Sequence, residues 1–450
     1  MSLLAWAPMS QSKTQQTHKY PRSGYAWYTV ALLTLVYIFS FIDRYILSLL
    51  VEPIKAEMQL SDTQIGLLLG PAFAIFYTTM GLPLGWLSDR ARRTWIISAG
   101  IAVWSLATAA SGLARNFVQL FAARIMVGVG EASLSPCALP MIADSFPPEK
   151  RGRPIAFYSA ALSIGAGLAF ILGASVIIWS KTVDAIVLPF IGEVAPWQFA
   201  FMAVGLPGIP IAILCLSLRE PARQEQVGLT NDGKAGLREA FKYISLHWQA
   251  YSGFTAIVGL MLIVSYSQGW LPAMFQRTWG WAPEKYALWY GIGMLIIGPI
   301  TVNISGWLSD HLSNRGSKDA PVRIIVWGGL LLIPTAALAP LMPAGESAFV
   351  VLLINLVSLA MISAVAPTAL LNITPGEIRG QVIAIYFLII SVAGLFLGPM
   401  TVGLLNDLVM GEDGLRYSVA LVPVIFGLPV LLLMPWALRS YLARLALDAD

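Results

Sequence analysis

Four ionisable side chains lie inside runs that are otherwise apolar: Asp43 and Arg44 in "FIDRYILSLL" (41–50), and Arg124 and Glu131 in "RIMVGVGEAS" (124–133). Two carboxylates and two guanidiniums make an acid–base set. If these runs cross a membrane, each charge costs about 2.5–3.5 kcal/mol at mid-bilayer on insertion scales, so the four are expected to face one interior and pair there. Apolar surroundings raise a carboxylate's proton affinity by up to about 3–5 pH units, and a nearby Arg lowers it by about 1–3. A carboxylate that alternates between those settings loads and releases a proton near neutral pH. On this reading Asp43 carries the proton, Arg124 is its partner when ionised, and Glu131 titrates second. Arg44 is either an anchor for an anionic head group or the partner of Glu131. The plain alternative is a static ion pair that fixes helix packing, although an apolar pair of similar size usually holds helices as well or better.

Helical geometry limits the pairing. Arg124 and Glu131 are seven residues apart, almost two turns, which puts them on one helix face about 10 Å apart. Asp43 and Arg44 are neighbours and point about 100° apart, so at most one aims straight at the other helix.

The elements that must position these residues follow from composition. Apolar residues make up 57% of the 450 and charged residues only 12%, half the roughly 25% of a soluble domain. The solvent is therefore expected to be lipid. Twelve segments are long enough to cross it, near 25–51, 64–87, 94–114, 117–143, 154–179, 197–218, 248–275, 286–309, 324–342, 347–372, 380–406 and 417–438. Without water to satisfy backbone groups, such runs should be helices. Placing both termini in the cytoplasm assigns 20 Lys and Arg to that side and 6 to the other, with Arg44 and Arg124 left in the spans, and that asymmetry sets the orientation. The net charge of +4 sits in short loop clusters, which argues against nucleic acid. Cys137 and Cys215 fall inside apolar segments and imply no disulfide framework.

The chain repeats itself. "GWLSD" stands at 85–89 and again at 306–310, and "PPEKRGRPIAFY" (147–158) is echoed by "PGEIRGQVIAIY" (375–386). Offsets of 221 and 228 residues, at matching places in each half, indicate a duplicated six-helix unit. The expected organisation is a cytoplasmic tail (1–24), a first bundle (25–218), a linker (219–247), a second bundle (248–440) and a short tail (441–450). The predicted fold class is thus an all-α integral membrane protein of twelve transmembrane helices in two pseudo-symmetric six-helix bundles.

Two such halves with a Gly-x-Leu-x-Asp turn between helices 2 and 3 of each resemble the major facilitator superfamily. The turn "GWLSDRARR" (85–93) places Gly85, Asp89, Arg90 and Arg93 where that family has them, and the second copy keeps Gly306 and Asp310. "FIDRYILSLL", "GVGEAS" and "MIADSFPPEKRGR" (141–153) together are similar to the spinster family of sphingolipid and lysophospholipid transporters, as a bacterial member. The helix-1 Asp-Arg pair also resembles the organic-anion symporters of the superfamily. The resemblance implies that helices 1 and 4 line the cavity, with both "GWLSD" turns at the cytoplasmic side. There Asp89 and Arg93 are expected to pair with each other and with helix ends of the other half when that side is shut. Loop charge near a tight turn is enough to explain Arg90.

The second half carries Leu352 and Leu359 opposite Arg124 and Glu131, and Val264 and Ser265 opposite Asp43 and Arg44. Its polar groups are few: Ser265, Tyr266, Ser267 and Gln268 in helix 7, Asn303 in helix 8, Asn355 in helix 10. An ionic half facing an apolar half suits an amphipathic lipid-like substrate, with its head group at Arg44 and Glu131 and its tail along Ser265, Tyr266, Ser267, Gln268 and Asn355. Scattered polar residues in ordinary helix packing account for these positions as well. The expected function is proton-coupled secondary transport by alternating access, of a lysophospholipid, a sphingoid phosphate or, alternatively, a small organic anion or drug. An enzyme is disfavoured: no His lies in a span and no zinc-ligand cluster exists. No nucleotide-binding loop of the GxxxxGK[ST] type occurs, so energy should come from an ion gradient, about 2.3 kcal/mol per charge at 100 mV. No cofactor or metal is expected. The expected partners are substrate, protons and membrane lipids, and the expected form is a monomer in the bacterial inner membrane.

Overall fold

The protein is described by a computed structural model that covers residues 20–447 except 148–149, 183–185, 189–191, 224–231, 318 and 376–377. Among the described residues, twelve helical spans are long and apolar enough to cross a membrane: Ser23–Leu49, Asp62–Ser88, Arg93–Ser111, Phe117–Ser145, Gly152–Ser180, Pro196–Leu216, Trp248–Trp279, Pro283–Asn314, Ala320–Leu341, Gly345–Asn372, Gln381–Met410 and Glu412–Ala446. They are numbered spans 1–12 below. Each predicted segment overlaps one of them. Spans 8 and 12 run several residues past the predicted ends, and span 12 continues beyond 440, because hydropathy marks the apolar stretch while the helix carries on through polar residues such as His311 and Arg439.

Three elements in the connections escape a reading based on apolar length, the first a helix at Val51–Met58 between spans 1 and 2. Strands β1 (Ile186–Leu188) and β2 (Gly192–Val194) form a small antiparallel hairpin between spans 5 and 6, with Ile186 opposite Val194. A helix at Asp232–Leu246 fills the second part of the linker and leads into span 7. Of the expected tails, residues 1–19 and 448–450 lie outside the described residues.

An even number of crossings brings Tyr20 and Leu447 out on one face, here named the terminal face. The distribution of apolar cores is unequal between the two faces. Toward the opposite face one core joins both halves: Ile46, Leu47 and Phe201 of the first pack with Trp270, Met274 and Tyr286 of the second. Toward the terminal face the cores are largely separate, one around Trp104 and Met141 into which Leu395 and Tyr266 of the second half reach, the other around Phe254 and Tyr441. The bundles therefore meet at one end and part at the other.

Glycine allows the meeting. Spans 5 and 8 cross where Gly167 and Gly291 face each other: a Cβ on Gly167 would stand 2.9 Å from the Gly291 carbonyl, and one on Gly291 would stand 2.7 Å from the Gly167 carbonyl. On the other side of the interface, a Cβ on Gly66 of span 2 would approach the Pro399 carbonyl of span 11 to 2.8 Å. Only a residue without a side chain permits backbones this close.

Candidate functional site: a buried charge cluster between spans 1 and 4

Span 4 is two helices, Phe117–Glu131 and Leu134–Ser145, and Glu131 sits at the break. The glycines of "GVGEAS" explain why that break can be buried. A Cβ on Gly128 would meet the Phe73 carbonyl of span 2 at 2.6 Å, and one on Gly130 would meet the Gly100 carbonyl of span 3 at 2.7 Å. Span 4 is thus drawn tightly against its neighbours, and Arg124 and Glu131 project from it toward span 1.

All four charges are brought together. Arg44 Nη2 donates to Glu131 Oε2 at 2.6 Å, and the Glu131 side chain is only 1% exposed. The Arg44 guanidinium also lies 4.5 Å from the centre of the Phe73 ring and 5.3 Å from Phe41 and Tyr77, so aromatic faces share its charge. Of the two roles expected for Arg44, this arrangement has it as the partner of Glu131. Arg124 differs from expectation. Its Nη1 donates at 3.1 Å to the backbone oxygen of Asp43, not to the Asp43 carboxylate. Asp43 is buried beside Thr108 and within electrostatic reach of Arg124 and Glu131. Among the described residues no group donates to Asp43 Oδ1 or Glu131 Oε1. Two buried acceptors without a donor are costly unless a proton or another donor satisfies them.

The second half contributes Tyr266, which packs into the first half's core beside Tyr37 and Tyr77 and lies within electrostatic reach of Arg44. Ser265 is partly buried next to it. The remaining polar residues form a separate network. The Ser267 hydroxyl donates to the Val264 carbonyl at 2.7 Å. Gln268 Nε2 donates to Asn355 Oδ1 at 2.7 Å, while Asn355 Nδ2 reaches Thr335 Oγ1 at 2.9 Å and the Leu332 carbonyl at 3.2 Å. Asn355 is fully buried, so this network ties spans 7, 9 and 10 together. Asn303 is exposed and bonded to the Pro299 carbonyl.

An apolar cavity of about 590 Å³ opens between spans 7 and 11, from Trp248 and Tyr251 near the terminal face to Ile263 and Leu397 at depth. Its deep end lies at a π-helical stretch, Ala393–Leu397, where Gly394 packs against the Tyr266 ring. Tyr266 therefore stands between this cavity and the charge cluster.

At the terminal face, Asp89 and Arg90 are exposed, and Arg90 stacks on Trp86 at 4.2 Å. The predicted Asp89–Arg93 pair is not formed. Arg93 is buried, with Nη1 2.6 Å from Asp144 Oδ2, and its backbone N–H donates to Glu220 at 3.0 Å. Arg223 reaches the carbonyls of Ser88 and Ala91, so "REPAR" folds back onto the turn. Asp144, Glu220 and Arg223 lie 51 to 135 residues from their partners, and no spacing rule joins them. Gly306 and Asp310 face open space, with no ion pair to Asp310 among the described residues. In this form no ion pair joins the two "GWLSD" turns among the described residues.

Comparison with known proteins agrees with the fold. The family model described as Major Facilitator Superfamily matches residues 33–399. An MFS-type efflux pump of Mycolicibacterium smegmatis is 28% identical over 417 residues, covering 91% of this chain and 90% of that protein. Protein spinster of Drosophila melanogaster is 25% identical over 85% of this chain, which spans 62% of the fly protein's length. The crystal structure of a bacterial homolog of the human lysosomal transporter spinster, in an inward-facing and unoccupied conformation, superposes with a TM-score of 0.82 at 28% identity, covering 94% of this chain and 99% of that one. A family match of that length, on a chain that folds in this way, places the protein in the Major Facilitator Superfamily, as a spinster-like membrane transporter rather than an enzyme.

Proposed function

We propose that this transporter moves an amphipathic, lipid-like substrate, such as a lysophospholipid or a sphingoid phosphate, in exchange for or together with protons, by alternating access. The observation that carries the reading is the juxtaposition at Tyr266: buried charges of the first half on one side, a long apolar cavity of the second half on the other. An anionic head group competes with Glu131 for Arg44, and releasing Glu131 gives it reason to take a proton. The apolar cavity accommodates the tail. Asp43 is the proton carrier, set beside a guanidinium that does not neutralise its carboxylate by direct contact. The Lys and Arg asymmetry supports cytoplasmic termini in a bacterial inner membrane, with the chain acting as a monomer and without a cofactor. With the terminal face as the cytoplasmic one, the present form is open inward.

The likeness to an efflux pump along nearly the full chain favours a second reading, export of a small organic anion or drug. The two separate in one experiment. Purified protein in liposomes is screened by thermal shift and by uptake, at several pH values, with lysolipids and sphingoid bases against small organic acids and cationic drugs. Stabilisation and pH-dependent uptake confined to the lipid set support the first reading, and confinement to the small molecules replaces it with the second.

The Gly85–Arg93 turn acts in the opposite, inward-closed form. Asp89 makes no ion pair here among the described residues, so Asp89→Asn should leave this form undisturbed and destabilise only the form in which the turn docks. The expected result is a larger inward-open population by distance measurement between labels at the cytoplasmic ends, and an unchanged distribution removes Asp89 from the gate.

A further inference from the structure

We propose that Asp62 and Asp407 form a reciprocal latch that shuts the outer mouth, each carboxylate held by the opposite half. This rests on the orientation given above but on neither the proton carrier nor the substrate. Asp62, at the first turn of span 2, has no exposed surface. Arg277 at the end of span 7 grips both its oxygens, Nη1 to Oδ2 at 2.8 Å and Nη2 to Oδ1 at 2.9 Å. Asn406 of span 11 donates to Oδ2 at 2.6 Å, and Lys55 stands 3.0 Å from Oδ1. Arg277 is completed by Glu52 at 2.7 Å.

The return contact runs the other way. Asp407 accepts from the backbone N–H of Asp62 at 3.1 Å and of Thr63 at 2.7 Å, so a carboxylate of the second half caps a helix of the first. Those N–H groups have no partner within their own helix, and the helix N-terminus favours negative charge. Separating the halves strips Asp407 of both N–H donors and Asp62 of Arg277 and Asn406 at once, leaving Asp62 with Lys55 of its own half.

Placement makes this a gate rather than a rivet. Beneath it lies the joint core around Trp270 and Met274; above it, a cavity of about 800 Å³ on the outer surface is lined by Glu52, Lys55, Arg277 and Glu412. One ionic layer thus separates outer water from the seal, and opening rehydrates every ion, returning the desolvation cost that burial imposes. At the cytoplasmic face the described ion pairs stay within one half: Arg93–Asp144, Arg223–Glu220 and Arg323–Asp319. The latch therefore biases the molecule toward the inward-open form.

The test is a distance measurement across the outer face. Spin labels go on Arg115→Cys and Glu346→Cys, both exposed and outside the latch, with Cys137→Ala and Cys215→Ala, in lipid nanodiscs. Arg277→Gln and Asp407→Asn should each raise the open-to-closed ratio at least about tenfold. The double variant Asp62→Asn/Arg277→Gln removes the fully buried carboxylate together with the guanidinium that grips it, and leaves Glu52 and Lys55, both with solvent access, to lose one partner each. It therefore separates gating from folding: a latch keeps its distribution shifted, whereas static packing returns it to the parent's. Parent-like distributions in Asp407→Asn and in the double variant, with monodisperse protein, overturn the proposal. Because the readout is a distance, loss of proton coupling alone leaves it unmoved.

Discussion

Replacing Asp43 by Asn should abolish accumulation of substrate against its gradient while downhill exchange survives. Asn keeps the shape and one acceptor oxygen but cannot take up or release a proton. Asp43 is buried, its Oδ1 has no donor among the described residues, and the nearest guanidinium is spent on the backbone oxygen of the same residue. A carboxyl so placed changes its charge at low structural cost when the bundles rock. A one-unit pH gradient stores about 1.4 kcal/mol per proton, enough for a tenfold concentration ratio. In liposomes with that gradient imposed, wild type should approach about tenfold accumulation per coupled proton and Asp43→Asn should stay near one. Equal accumulation by both proteins would move the proton carrier elsewhere, with Glu131 the next residue to test.

The second large effect belongs to Arg44 and Glu131. Arg44→Leu leaves a carboxylate with a 1% exposed side chain and no cation in direct contact. Removing one partner of a buried pair costs about 3–5 kcal/mol, whereas replacing both by apolar groups is often neutral. Thermal unfolding in detergent should therefore show a large loss for Arg44→Leu and recovery of most of it in Arg44→Leu/Glu131→Leu. Transport should behave differently: the double variant regains stability but not binding of an anionic head group. A single variant as stable as wild type would mean that Glu131 is already protonated in this form, and the pair would then owe little to Coulomb attraction.

How far the sequence carries depends on the range of the interaction. The twelve spans are legible because apolar length is a local property, and the polar helix ends, the short helix Val51–Met58, the three-residue strands and the linker helix lie beyond its reach. The duplication is legible because two motifs repeat at nearly one offset. The charge cluster is legible in membership, since ionisable groups in lipid must seek one another, but not in pairing. Which of Asp43 and Arg44 faces Glu131 depends on a rotation of span 1 that periodicity leaves open, and here it is Arg44 that reaches the glutamate. Arg93 shows the same limit: its sequence neighbour Asp89 is exposed, while Asp144, from another helix, holds it. Asp62 and Arg277 look like ordinary loop charges until folding brings residues 215 positions apart into bidentate contact.

The bare crossing of Gly167 and Gly291 has a mechanical consequence. Where two main chains touch directly, with Leu295, Ile171 and Phe170 packed around the contact, few side chains have to be repacked for one helix to swivel on the other. The crossing of spans 5 and 8 is in that sense an axle: its friction is set by glycine, and the free energy that drives turning is left to the charges at either mouth.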